Sequence, residues 1–311
     1  MPGEEMAAVA YSGRAKRGLY KQSAKALVDV FGVADAPRFT ALLAAMSPRV
    51  SVERDTINAL RTWNEWNKAG RPTDHQAILQ VMARATGGDL SSVMAAWRMN
   101  AIRALTHEDP LHLVISGPKV NSFFRNLAGD VHEVTNDAWM ASYAGVEHGK
   151  LKGHTSKDPY GYLATKSPTY VGMSAAARRA AKILSNRTKD VWTPAEIQET
   201  VWSWAKTLKE KSGKSANVEQ LLRAGDISHE EIANTPDFAT LFTKNIYAKI
   251  LQEGGYGKAV ERLGSRTAGS RRAASGTPLK PEAGTFTEAA FKRHLLRAGR
   301  RLDLSSVPEA E

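Results

Sequence analysis

The chain has no cysteine among its 311 residues. Disulfides, thiolate zinc fingers, iron–sulfur clusters and cysteine nucleophiles are therefore excluded. No apolar run approaches the roughly 18 residues of a membrane span. The N-terminus, Met-Pro-Gly-Glu-Glu, lacks the basic start and apolar block of a signal peptide. A cytoplasmic protein with no membrane partner is expected. Valine-rich alternating runs, the mark of half-buried strands, are scarce. A glycine-rich nucleotide loop is missing, so ATP dependence is not expected, and no residue pattern calls for a cofactor. Acidic residues are few for the basic content: 32 Asp and Glu face 43 Lys and Arg, a net charge of +11. That excess suits a polyanion, nucleic acid before membrane. The apolar fraction of 42% excludes a wholly disordered chain.

Ala, Leu, Lys, Arg and Glu dominate, and their spacing predicts an all-α fold. Helices are expected over 15–31 and 36–46, the second broken by Ser47-Pro48-Arg49. Others are expected over 54–68, from a Thr73-Asp74 cap to Ala85, and from Asp89 or Ser91 to Leu105. Further ones cover 135–143, 173–185, 217–223 and 236–252. Thr193-Pro194 with Glu196 spells a capping box ahead of a helix to about Lys211. Residues 147–170, rich in Gly, Lys, Pro and Tyr, read as a long loop. From Tyr256 to Arg301 there are 11 basic and 3 acidic residues. This reads as a basic tail over 256–311, disordered over 265–285, with a terminal helix over 286–301. The body is then 1–255. Trp63, Trp66 and Trp97 fall at core positions, as do Phe123, Phe124 and Leu127. His148, His154 and Asp158 lack metal-site spacing and read as solvated loop residues; no metal is expected.

One stretch carries chemistry. Leu111 to Ala128 reads LHLVISGPKVNSFFRNLA: two short helices flanking Ser116-Gly117-Pro118, within a hairpin over 109–129. A glycine turn at a helix start presents backbone N–H groups and the positive dipole end to a phosphate. Lys119 follows the turn, and Asp137 comes 18 positions later. A carboxylate can stabilise the positive charge that builds on a sugar when an N-glycosidic bond breaks. A partly neutral lysine can attack the anomeric carbon and form a Schiff base. Lys119 alone could equally contact phosphate, and Asp137 alone could be only a helix cap.

These residues resemble the helix-hairpin-helix (HhH-GPD) DNA glycosylase superfamily, in particular its endonuclease III-like branch. Leu113 to Lys119 is similar to the family's Leu-Pro-Gly-Val-Gly-x-Lys hairpin. Val134-Thr135-Asn136-Asp137 is similar to the segment carrying its catalytic aspartate. Met46-Ser47-Pro48-Arg49 resembles the loop that enters the duplex. Ile115 stands where the hairpin has its first glycine, and Trp139 where a histidine is usual. The likeness covers roughly 36–205. It extends to a divergent phage and actinobacterial branch through Ser47 to Arg54, Gly117 to Phe123 and Thr193 to Trp202. The resemblance implies a two-lobed helical fold and a monomer that flips and excises a modified or damaged base from double-stranded DNA, with optional lyase action. It implies Lys119 and Asp137 as catalytic residues. Arg49, Ser116, Gly117, Val120 and Arg125 would contact DNA. Trp139 and Gln198 would line the base pocket, although Gln198 and Trp202 could also form a structural pair. Two rivals stay open: hypermodification of a phage DNA base on the same fold, and DNA binding without chemistry.

Overall fold

A computed structural model of the chain describes residues 2–153, 155–158, 161–212, 220–221, 228–235, 245–248, 250 and 307–309. Its helices are α1 (Pro2–Ser12), α2 (Leu19–Met46), α3 (Val52–Lys68), α4 (His75–Thr86), α5 (Ala95–Thr106), α6 (Pro118–Leu127), α7 (Ala138–Ala144), α8 (Pro168–Thr188), α9 (Pro194–Ser212) and α10 (His229–Asn234). The protein is all-α apart from one small hairpin, β1 (Thr155–Asp158) against β2 (Gly161–Ala164).

Local chemistry sets most of the boundaries. Ser51 caps α3 through Arg54 N, and Asp74 caps α4 through Ala77 N. Ser167 caps α8 with Pro168 in its first turn. The capping box forms as expected: Thr193 N donates to Glu196 Oε2 at 2.8 Å, and Glu196 N to Thr193 Oγ1 at 3.2 Å. The two helices expected over 15–46 both form within α2, separated by a kink at Gly32, whose non-helical φ of 75° only glycine adopts cheaply. Helix α2 starts at Leu19, because Arg14–Lys16 is a separate 3₁₀ turn.

The helices bury two apolar clusters. One joins α1, α7, α8 and α9 around Tyr143, Tyr170, Met173, Ile197 and Trp204. The other joins α2 to α6 around Phe39, Leu42, Trp63, Trp97 and Phe124. Trp63 sits edge-on to Phe39 at 5.7 Å, a geometry that adds to simple burial. The three tryptophans assigned to the core are buried there; Phe124 and Leu127 are buried, while Phe123 is only partly so.

Polar bonds join the start of α2 to α9. Arg17 bonds Glu196 at 2.8 Å and stacks on Trp192. Tyr20 Oη donates to Gln198 Oε1 at 2.7 Å. The buried Glu199 carboxylate accepts from the N–H groups of Gly18 and Tyr20, so a side chain of α9 caps α2.

The structure corrects several expectations. Helix α1 was not anticipated; its Met6, Ala7, Ala8 and Ala10 are fully buried against α8 and α9. The 147–170 segment is not one loop: it holds a 3₁₀ turn at His148–Leu151, the hairpin, and the start of α8. The helix expected from Asp89 to Leu105 is a 3₁₀ turn, a break at Val93-Met94, and then α5. Before the Ser116-Gly117 turn there is only a 3₁₀ turn at Pro110–His112, since Asp109 caps it locally and Leu113 is already extended. Residues 220–221, 245–248 and 250 are helical, within the helices expected over 217–223 and 236–252. The rest of those stretches and the terminal helix expected over 286–301 lie outside the described residues. Val307 is buried beside α8, and Arg187 donates to its carbonyl at 2.7 Å. No helix among the described residues is long and apolar enough to cross a membrane.

Candidate functional site

The turn before α6 is held from both sides. Asn100 of α5 accepts from Ser116 N and donates to Ser116 O, both at 3.0 Å. Asn121 Oδ1 accepts from Ile115 N at 3.0 Å. Gly117 then turns with a φ of 98°, and Pro118 opens α6 with a ring that needs no hydrogen-bond partner. Lys119 follows in the first turn. Its ammonium donates to Ser47 Oγ at 2.7 Å and lies 5.1 Å from the Phe123 ring centre. Ser47 in turn donates to Ala44 O at 2.8 Å, which orients the oxygen that receives the lysine.

Asp137 is delivered by a strapped link. Asn126 donates to the carbonyls of Asp130 and Glu133 and accepts from Thr135. Tyr170 Oη donates to Val134 O at 2.8 Å and accepts from Asn136 N at 3.0 Å. The buried Asn136 amide reaches Ser174 at 2.9 Å. Asp137 ends this link as the cap of α7. Its Oδ1 accepts from Trp139 N and Met140 N at 2.9 and 3.1 Å, and its Oδ2 from Trp202 Nε1 at 2.9 Å. Three donors therefore fix the carboxylate plane.

Lys119 belongs to the second apolar cluster's helices and Asp137 to the first's, yet they share one electrostatic neighbourhood. Burial holds the Lys119 amine below the usual lysine range, while Asp137 and, less strongly, Asp55 pull it back up. No hydrogen bond or ion pair joins Lys119 directly to either carboxylate. Asp55, in the first turns of α3, is 4% exposed, and burial pushes its carboxyl well above the ordinary range, with Lys119 opposing. His148 is solvent-exposed at the edge of this group. Partial desolvation lowers its pKa; Asp137 raises it, and Lys152, Lys119 and Arg49 lower it.

The assembled group thus contains Lys119, Asp137, Arg49 and His148, the last read from sequence as merely solvated. Arg49 is exposed, with a φ of 64° that a non-glycine residue rarely takes. Trp97 Nε1 donates to Pro48 O at 3.0 Å and fixes that loop. Trp139 is half-buried in the first turn of α7, beside Asp137. Gly117 and Val120 flank Lys119. Ser116 is adjacent, but its N–H is committed to Asn100 and is not free for a phosphate. Arg125 lies at the far end of α6 with Asp130, 3.7 Å away, so the structure does not bring it to the group. Gln198 is buried and bonded by Tyr20, so the pairing with Trp202 does not form; the two reach different partners.

Sequence reasoning missed Ser47 as the lysine's acceptor, Asp55 as a buried acid within its electrostatic reach and Trp202 as the anchor of Asp137. The last carried a signal: Trp202 and Gln198 share a face of α9, and a buried indole N–H needs an acceptor. Asp55 carried none, since it reads as an ordinary acidic residue near a helix start. Among the described residues no three His, Asp or Glu side chains gather as metal ligands.

No curated protein and no solved structure matches the chain. The model of DUF7178, a family of unknown function, matches residues 17–212, and the chain belongs to that family.

Proposed function

We propose that this protein acts on double-stranded DNA, extruding a modified or damaged base and breaking its N-glycosidic bond. The observation that carries this reading is a desolvated amine sharing an electrostatic site with an anchored carboxylate from the other apolar cluster, beside a glycine turn at a helix start. Extrusion costs about a few kcal/mol, which an inserted Arg49 and a stacking Trp139 would offset. As the base leaves with the glycosidic electron pair, positive charge grows on the sugar. Asp137, fixed by three donors, needs no reorganisation to face it. Lys119 in its deprotonated form then bonds the anomeric carbon, and the proton its nitrogen sheds passes to the ring oxygen as the ring opens to a Schiff base. β-Elimination from that adduct cleaves the strand. The net charge of +11 favours the phosphate backbone. The protein works as a monomer in the cytoplasm, without a cofactor.

The test is a panel of duplexes, each carrying one altered base, followed by mass spectrometry of released bases and nucleosides. Wild type should leave abasic sites that Asp137→Asn does not. A new nucleoside with its sugar bond intact would instead assign base modification. Salt-sensitive binding that survives Asp137→Ala, with no product from wild type, would leave a DNA-binding protein without chemistry.

A further inference from the structure

We propose that Ser47 is the positioning residue of Lys119: it fixes which way the lone pair of the neutral amine faces. The proposal rests on the reading of Lys119 as the reacting amine. Ser47 closes the end of α2 and is only 8% exposed. Its hydroxyl has one proton, and that proton goes to Ala44 O at 2.8 Å. The oxygen therefore has only lone pairs left for the amine, which donates to it at 2.7 Å. A serine with an uncommitted proton could rotate and donate to a neutral amine. This one cannot do so without giving up Ala44.

A lysine nitrogen is a donor in both of its states, through three N–H bonds when charged and two when neutral. One of them stays on Ser47 in either state. The lone pair that neutral Lys119 uses for attack is then directed away from Ser47, as a tetrahedral nitrogen requires. The acceptor is itself held in place. Ala44 O takes both the N–H and the hydroxyl of Ser47, and the next carbonyl, Pro48 O, accepts from the buried Trp97 indole at 3.0 Å. The Phe123 ring packs beside the amine, 5.1 Å from the nitrogen to the ring centre. Loss of the Ser47 oxygen would leave the amine in the site but free to rotate.

The test reads two quantities on the full-length protein. Labelling with limiting acetic anhydride across pH 5 to 11, quantified on the peptide carrying Lys119, gives the amine's titration midpoint. Borohydride trapping on a duplex with one abasic site, under single turnover across protein concentrations, gives a limiting rate and a half-saturating concentration. Ser47→Ala removes an acceptor that favours the charged amine, so the midpoint should fall by about half a pH unit or more. The charged groups acting on the amine, Asp137, Asp55 and His148, are the same in every variant. More of the amine is then neutral near pH 7, yet the limiting rate should fall about tenfold or more, because the lone pair is no longer aimed. Half-saturation should hold within about twofold. Ser47→Thr keeps the hydroxyl and should return midpoint and rate toward wild type. A midpoint unchanged within about 0.3 in Ser47→Ala, or a limiting rate equal to or above wild type, would overturn the proposal. Should Ser47→Ala not fold, Ser47→Cys is read in its place, since a thiol is only a weak acceptor. No adduct from wild type together with the expected midpoint shift would sink the glycosylase reading and leave the Ser47–Lys119 contact intact.

Discussion

Asp137 does two jobs, and substitution can separate them. Its Oδ1 caps α7 through two backbone N–H groups, and its Oδ2 takes the Trp202 indole N–H. Asp137→Ala removes the cap, worth about 1 kcal/mol, and strands a partly buried indole donor, worth about 1–3 kcal/mol. The expected loss of stability is about 2–4 kcal/mol. Asparagine caps as well as aspartate, so Asp137→Asn should keep the two backbone bonds. Its amide nitrogen would then meet the indole N–H donor to donor, and the expected loss is about 1–3 kcal/mol. Trp202→Phe removes that donor. The double variant Asp137→Asn/Trp202→Phe should therefore lose less than the two singles added together, with a coupling above about 0.5 kcal/mol. Urea unfolding of the four proteins at one pH measures this. Additivity within about 0.3 kcal/mol would refute the Oδ2–indole bond, and with it the claim that α9 anchors the carboxylate.

Three other outcomes follow from named geometry. Burial pushes Glu199 up to about 7 from an ordinary 4.5. The fold therefore favours its protonated form, and that stability is full below about pH 4.5 and lost as pH rises through 7, by about 3 kcal/mol in all. Glu199→Gln cannot titrate, so its stability relative to wild type should improve over that window; parallel urea curves from pH 4 to 8 would contradict this. Gly117→Ala should cost about 1–3 kcal/mol from backbone strain alone, because an added Cβ meets nothing closer than Val120 Cγ2 at 3.9 Å; a loss under about 0.5 kcal/mol in thermal melts would contradict the turn's φ. Arg49→Gly relieves a φ of 64° and should leave stability equal or higher by up to about 1 kcal/mol. On the proposed function it should also weaken duplex binding and flatten the salt dependence by about one unit of slope; unchanged fluorescence anisotropy titrations would remove Arg49 from the interface.

Much of this was legible in the residues. Caps and breakers marked Ser47-Pro48, Asp74 and the Thr193 box, and each lies where the helices begin or end, because capping is a local contest between side chain and backbone. The hairpin pattern drew attention to Lys119 and Asp137, which the fold brings within electrostatic reach. What stayed hidden was non-local. Helix α1 is short and its alanines signal little by themselves; only burial against α8 and α9 explains it. The hairpin β1–β2 sits in a segment whose Gly and Pro content mimics a loop. Ser116 looked like a phosphate donor until Asn100, sixteen residues upstream, took its N–H. Trp202 acquires meaning only through Asp137, a partner far away in sequence.

On the proposed function, Lys119 presents a reactive amine to a DNA sugar opposite Asp137. Borohydride reduction during incubation with a duplex bearing one abasic site tests it without knowing the base. Wild type should form a covalent protein–DNA adduct, mapped by mass spectrometry to Lys119 and lost in Lys119→Gln. No adduct at any pH from 6 to 9, or one mapping to another lysine, would contradict the account.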